Sequence, residues 1–209
     1  QSARAIVWTG NGSIFSAGVD LKRVLEEDKG YLHAFLPALS RAFKALYAFP
    51  NPMVCAVNGH ALAGGCIIAV AGDRRIMAEK QGTIGTPELR VGVPFPSMAL
   101  EMVRQVCGAH ADRVLLRGER HEPKTAKKLG LVDELVPADE LLDAKAALDG
   151  AVERRSRGDS YHARGRRTPA AVAGAGASRS DTKMSLALIT RVAVTIPRTR
   201  TRAVSCNPA

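Results

Sequence analysis

Apolar positions follow two rhythms over the first three quarters of the chain. Residues 3–9, ARAIVWT, form a short apolar run ending in Gly10-Asn11-Gly12, the layout of a buried strand and its turn. Leu32, Phe35, Leu36, Leu39, Phe43 and Leu46 recur at three- and four-residue spacing, which predicts an amphipathic helix that Pro37 breaks or kinks. Residues 53–57, MVCAV, read as a second buried strand; a glycine-rich stretch follows, and then CIIAVAG, which reads as a helix. Residues 74–78 and 83–86 are the third and fourth strand candidates. Beyond Pro96 helical spacing dominates, over 97–107, 109–117 and 123–129, and over 139–152 after a short strand in LVDELV. Strands alternating with helices predict an α/β domain.

That rhythm stops near Glu153. Only 8 of the last 57 residues are Val, Ile, Leu or Phe, fewer than the roughly one fifth that a segment needs to bury a core. The expected organisation is therefore a globular domain over 1–152 and a basic, low-complexity, disordered tail over 153–209, with one short apolar piece at 184–196. Charge divides at the same place. Residues 1–152 carry 18 Lys and Arg against 17 Asp and Glu, a net +1, whereas residues 153–209 carry 12 against 3, a net +9. The net charge of +10 thus belongs to the tail and says nothing of the domain. Eleven of the twelve tail cations are arginine, a text that a shifted reading frame in GC-rich DNA would also produce. The chain opens at Gln1 on the approach to a strand, so the domain is expected to be N-terminally incomplete.

Composition narrows the class further. With 46% hydrophobic and 24% charged residues, the chain is neither fibrous nor wholly disordered. No run approaches the roughly 20 apolar residues of a membrane span, and no signal peptide is visible. Cys55, Cys66, Cys107 and Cys206 stand far apart without metal-ligand spacing, so they read as reduced thiols in a cytoplasmic protein.

Three segments carry candidate chemistry. FSAGVD at 15–20 follows a strand and a glycine turn, where small residues let the backbone approach a ligand and leave N–H groups pointing outward. NGHALAGG at 58–65 places paired glycines where a helix begins, which suits either a carbonyl oxygen gaining negative charge or close packing of helix on strand. In TPELRVGVP at 86–94, Glu88 lies among Pro87 and apolar residues that would desolvate it and raise its pKa toward a range useful for proton transfer, although a lone glutamate is most often a surface residue.

In this order and spacing, with AKKLGLVDELVP following, the segments resemble the crotonase superfamily, the enoyl-CoA hydratase/isomerase family, over residues 3–150. The resemblance implies a spiral of ββα units, assembly as a homotrimer or homohexamer, and an acyl-CoA thioester as substrate with no further cofactor. It implies that the N–H groups of Ala17 and Gly64 form an oxyanion hole, that Gly18, Val19 and Asp20 line the CoA-binding turn, and that Glu88 is the acid/base. Glu88 falls where the family's second catalytic glutamate stands, and the first catalytic glutamate of the hydratases lies three residues past the oxyanion glycine. Here that position is Ile67, so the resemblance favours fatty acyl-CoA double-bond isomerisation over hydration.

Other candidates have plainer readings. Trp8, Phe15, Leu62 and Phe95 could line an acyl tunnel but read first as core. His60 reads as a partnered structural histidine, and Asp73 as a residue that ends or orients the helix after Gly65. Lys22-Arg23 could meet CoA phosphates or be solvated surface charge. Two other function classes stay open: a non-catalytic acyl-CoA-binding relative or truncated gene product, and nucleic-acid binding through the tail, which lacks the interleaved aromatics of single-strand binders.

Overall fold

The computed structural model describes residues 6–141. The tail at 153–209, and nearly all of the helix expected over 139–152, lie outside the described residues.

Strands alternate between two sheets. β1 (Ile6–Thr9), β3 (Met53–Val57), β5 (Arg74–Ala78) and β8 (Glu134–Val136) form a wholly parallel sheet in the order β1-β3-β5-β8. β2 (Ile14–Ser16), β4 (His60–Leu62), β6 (Ile84–Gly85) and β7 (Arg120–His121) form the second sheet in that order, with only β7 antiparallel. Helices follow each of the first three pairs of strands. α1 (Leu21–Glu26) and α2 (Lys29–Tyr47) follow β2, and α3 (Gly64–Val70) follows β4. A 3₁₀ turn at Glu88–Val91 and α4 (Ser97–Cys107) follow β6; α5 (Ala111–Arg117) precedes β7, and α6 (Pro123–Lys128) links β7 to β8. The repeating unit is strand, strand, helix, each strand joining a different sheet, as the expected ββα spiral requires.

Burial explains which elements the sequence announces. All five residues of β3 are buried, because it lies between β1 and β5, and its run is therefore continuously apolar. Strands of two or three residues in the second sheet are too short to show a period, and β2, β4 and β7 are not apparent from the sequence. Helix α1 is also silent in the pattern because it buries no residue.

Pro37 does not end its helix. α2 runs unbroken for 19 residues, burying Phe35, Leu39, Ala42, Phe43 and Leu46, with Pro37 on the exposed side. The carbonyl of His33 loses its helical partner to the proline, and His33 and Pro37 are both exposed residues. Leu36 is 56% exposed, since it stands about 100° around the helix from Phe35.

Two polar links fix the first sheet. Arg75 Nη2 donates to Asp133 Oδ1 at 2.6 Å, and its backbone N–H to Asp133 Oδ2 at 2.8 Å, joining β5 to the approach of β8. Asp73, 4% exposed, accepts the Met53 N–H at 2.9 Å through Oδ2, and its own N–H donates to Met53 O at 2.8 Å. It thus ties the turn after α3 to the first residue of β3. Asp73→Ala leaves a buried N–H unpaired and is expected to lower stability by about 1–3 kcal/mol, read by denaturant unfolding.

Cys55, Cys66 and Cys107 are free and buried. Burial pushes the Cys55 thiol up to about 12 and that of Cys107 to about 11, consistent with packing and not reactivity. Cys206 lies outside the described residues. Among the described residues no helix is long and apolar enough to cross a membrane.

Candidate active site

The two glycine-bearing segments meet face to face. β2 ends at Ser16, and Gly18 turns back at φ +86 toward the start of α3. A Cβ on Gly18 would lie 2.8 Å from both Gly64 N and Leu62 O, a separation that real side chains do not tolerate. A Cβ on Gly64 would stand 3.5 Å from Gly18 Cα and 3.8 Å from Val19 N. Gly65 packs still closer, since a Cβ there would collide with the Ser16 carbonyl oxygen. Glycine is needed at 18 and 65 to let backbone meet backbone.

Free donors are concentrated at this junction. The first helical hydrogen bond of α3 runs from Ile67 N–H to Ala63 O at 3.2 Å, and no side chain caps the helix. The N–H groups of Gly64, Gly65 and Cys66 therefore precede the helical ladder. Ala63 holds them in place at φ 51 and ψ −125, the only non-glycine residue of positive φ among the described residues, with its own N–H bonded to Gly85 O at 3.0 Å. Such a conformation costs about 1–3 kcal/mol and collects at functional sites. Ala63→Gly is expected to raise stability by about 1 kcal/mol in thermal or denaturant unfolding. The sequence offers no sign of this, because alanine is not a turn residue.

Glu88 opens the 3₁₀ turn after β6, and Gly92 closes that turn at φ +72. Its Oε2 is buried without a hydrogen-bond partner. Burial raises its pKa from 4.5 to about 7, against the smaller opposing effect of a hydrogen bond from its own backbone N–H. Its charge in turn helps to raise the Cys66 thiol, after burial. Ile67, one residue further along, is 1% exposed and packed in the core.

The remaining candidates separate into structure and surface. Asp20 caps α1, its Oδ1 accepting the Arg23 N–H at 3.1 Å. Lys22 and Arg23 pair with Glu26 and Glu27 on the exposed face of that helix, at 3.7 and 3.3 Å. His60 Nδ1 accepts the Thr83 N–H at 3.1 Å, as a structural histidine would. Trp8 and Phe15 are buried in the core, and Phe95 packs against it half-buried. Leu62 is half-buried, with its carbonyl oxygen against Gly18. Among the described residues no three His, Cys, Asp or Glu side chains converge as metal ligands.

The sequence profile of enoyl-CoA hydratase/isomerase matches residues 1–157. The chain belongs to that family. Among curated members, the 2,3-dehydroadipyl-CoA hydratase of Escherichia coli is 32% identical over 157 residues, covering 74% of this chain and 60% of its own length. The mitochondrial enoyl-CoA delta isomerase 1 of Rattus norvegicus is 33% identical over 144 residues, 68% of this chain and 50% of its own. Among solved structures, human mitochondrial delta3-delta2-enoyl-CoA isomerase superposes with a TM-score of 0.69 at 28% identity, covering 90% of this chain and 74% of the human one. This family member spans only about six tenths of the length of the curated hydratase and half that of the isomerase. Its glycine junction and Glu88 both lie inside the matched region.

Proposed function

We propose that the protein moves a carbon–carbon double bond in an acyl-CoA thioester, with Ala17 and Gly64 as oxyanion donors and Glu88 as the only acid/base. The observation that carries this reading is Glu88: a buried carboxylate oxygen without a partner, with a pKa of about 7, whose charge acts on Cys66, two residues past Gly64. Fully exposed carboxylates titrate near 4 and are poor bases at neutral pH.

The chemistry closes on one carboxylate. With the thioester oxygen held by the Ala17 and Gly64 N–H groups, Glu88 takes a proton from C2 of a 3-enoyl thioester. The C2–H electrons form a C1–C2 double bond as the carbonyl π pair moves onto the held oxygen, giving a dienolate that keeps the C3–C4 double bond. Glu88 then returns the proton to C4: the carbonyl re-forms, the C1–C2 pair becomes the C2–C3 double bond, and the C3–C4 pair takes the proton, giving the 2-enoyl thioester and the starting carboxylate. Preorganised N–H donors lower the barrier because negative charge grows on the oxygen only during reaction, and each is worth about 3 kcal/mol. Hydration needs a second group to hold and activate water, and the buried isoleucine at 67 supplies none. In this reading Gly18, Val19 and Asp20 border the CoA moiety, and the working assembly is a trimer or a dimer of trimers, which light scattering tests.

Incubation of the protein with a 3-enoyl-CoA and, separately, a 2-enoyl-CoA in D₂O tests the proposal. Double-bond migration without a mass gain from water is the expected result. Water addition to the 2-enoyl thioester would overturn the single-carboxylate mechanism. Saturable acyl-CoA binding with no reaction of either substrate would favour a non-catalytic acyl-CoA-binding protein.

A further inference from the structure

We infer that Ser16 is a positioning residue for the oxyanion donor, an inference that rests on the function proposed above. Ser16 is 1% exposed, and its Oγ accepts the Gly18 N–H at 3.2 Å. The ring closed by that hydrogen bond contains the whole of Ala17. Both soft rotations of the Ala17 backbone lie within that ring and are restrained by it. The bond also removes the Gly18 N–H from the set of available donors, leaving that of Ala17, inside the ring, as the donor of this turn.

A second, independent contact locks Ser16 itself. The space that a Cβ on Gly65 would fill is occupied by Ser16, whose own Cβ lies 2.7 Å from that point and whose carbonyl oxygen is closer still. The glycine at 65 therefore seats Ser16 directly on the first turn of α3, next to Gly64. One small side chain thus joins the two donors: its hydroxyl sets the first, and its backbone and Cβ rest on the segment that carries the second. An alanine at 16 keeps this packing and loses only the acceptor.

The two kinds of contact make different predictions for binding and for turnover. The ground-state carbonyl carries little charge, so a slightly misdirected Ala17 N–H costs little affinity; the enolate depends on the donor strongly. Ser16→Ala is expected to lower kcat about tenfold with KM within about twofold, the pattern of an interaction made in the transition state. Acetoacetyl-CoA reports the same effect without turnover, because its bound enolate absorbs in the near ultraviolet. Ser16→Ala should bind butyryl-CoA like the wild type but show about a tenfold weaker enolate signal. Ser16→Cys, similar in size with a weaker acceptor, should fall between, and it carries the comparison if the alanine variant does not fold. Equal kcat and enolate signal in wild type and either folded variant would overturn the role of Ser16 while leaving the proposed function intact. A wild-type protein that neither turns over 3-enoyl-CoA nor polarises acetoacetyl-CoA would overturn both.

Discussion

Replacing Glu88 by Gln is expected to lower kcat for double-bond migration by about a hundredfold to ten-thousandfold, the range that a positioned acid/base contributes, with binding of a saturated acyl-CoA almost unchanged. The amide keeps the size and polarity of the carboxyl but cannot take the C2 proton. The pH profile gives a second check. As a base Glu88 must be ionised, so kcat/KM is expected to rise with pH through about 7 and then level off. The variant should lose that limb together with its activity.

Stability should respond in the opposite direction. A carboxyl raised from 4.5 to about 7 on folding binds its proton more tightly in the folded protein than in the unfolded chain. Between those values the folded state holds more protons, so stability falls as pH climbs through the window, and the penalty is fully present above about 7. Glu88→Gln is therefore expected to melt a few degrees higher than the wild type at pH 8, a gain that disappears below pH 4.5. Activity lost and stability gained in one substitution would mark a residue kept for chemistry. A melting temperature unchanged at both pH values would show that the carboxyl is not desolvated.

Gly18→Ala carries the other large effect. A methyl group there would lie 2.8 Å from Gly64 N and Leu62 O on a backbone at φ +86, so the two donor segments must move apart or Gly18 must leave its conformation. Either change displaces the Ala17 and Gly64 N–H groups relative to each other. Loss of one donor lowers turnover by about a hundredfold to a thousandfold, and strain at a positive φ costs about 1–3 kcal/mol of stability. Gly108→Ala is the control, since Gly108, just after α4, shares a positive φ, +52, with open space around it. It should lose comparable stability in the melt with a much smaller loss of kcat. Equal losses of kcat in the two variants would show that strain alone, and not the meeting of the donor segments, accounts for the effect.

The elements that the sequence reveals are those whose burial imposes a pattern. β3 is apolar at every position because neighbouring strands and packed layers enclose it, and α2 shows its stripe because one face meets the core. β2, β4 and β7 lack such a pattern, being only two or three residues long, and α1 buries nothing. At the site, Gly18, Gly64 and Glu88 are visible as residue types suited to close approach and proton transfer. Ser16 and Ala63 are not, because a buried hydroxyl that accepts one N–H and an alanine at positive φ look ordinary in a sequence.

By itself, then, the sequence determined the α/β alternation, the uneven charge of residues 1–152 and 153–209, and the family through motifs in fixed order. Each of these is a local or one-dimensional property, written in periodicity, composition or spacing. Only the tertiary structure decided that Gly18 and Gly64, 46 residues apart, bring their backbones together, that Oε2 of Glu88 is buried without a partner, and that Ile67 faces the core. Those facts depend on which surfaces are removed from water when two sheets and a helix close on one another, and a pKa or a donor's direction is set only at that moment.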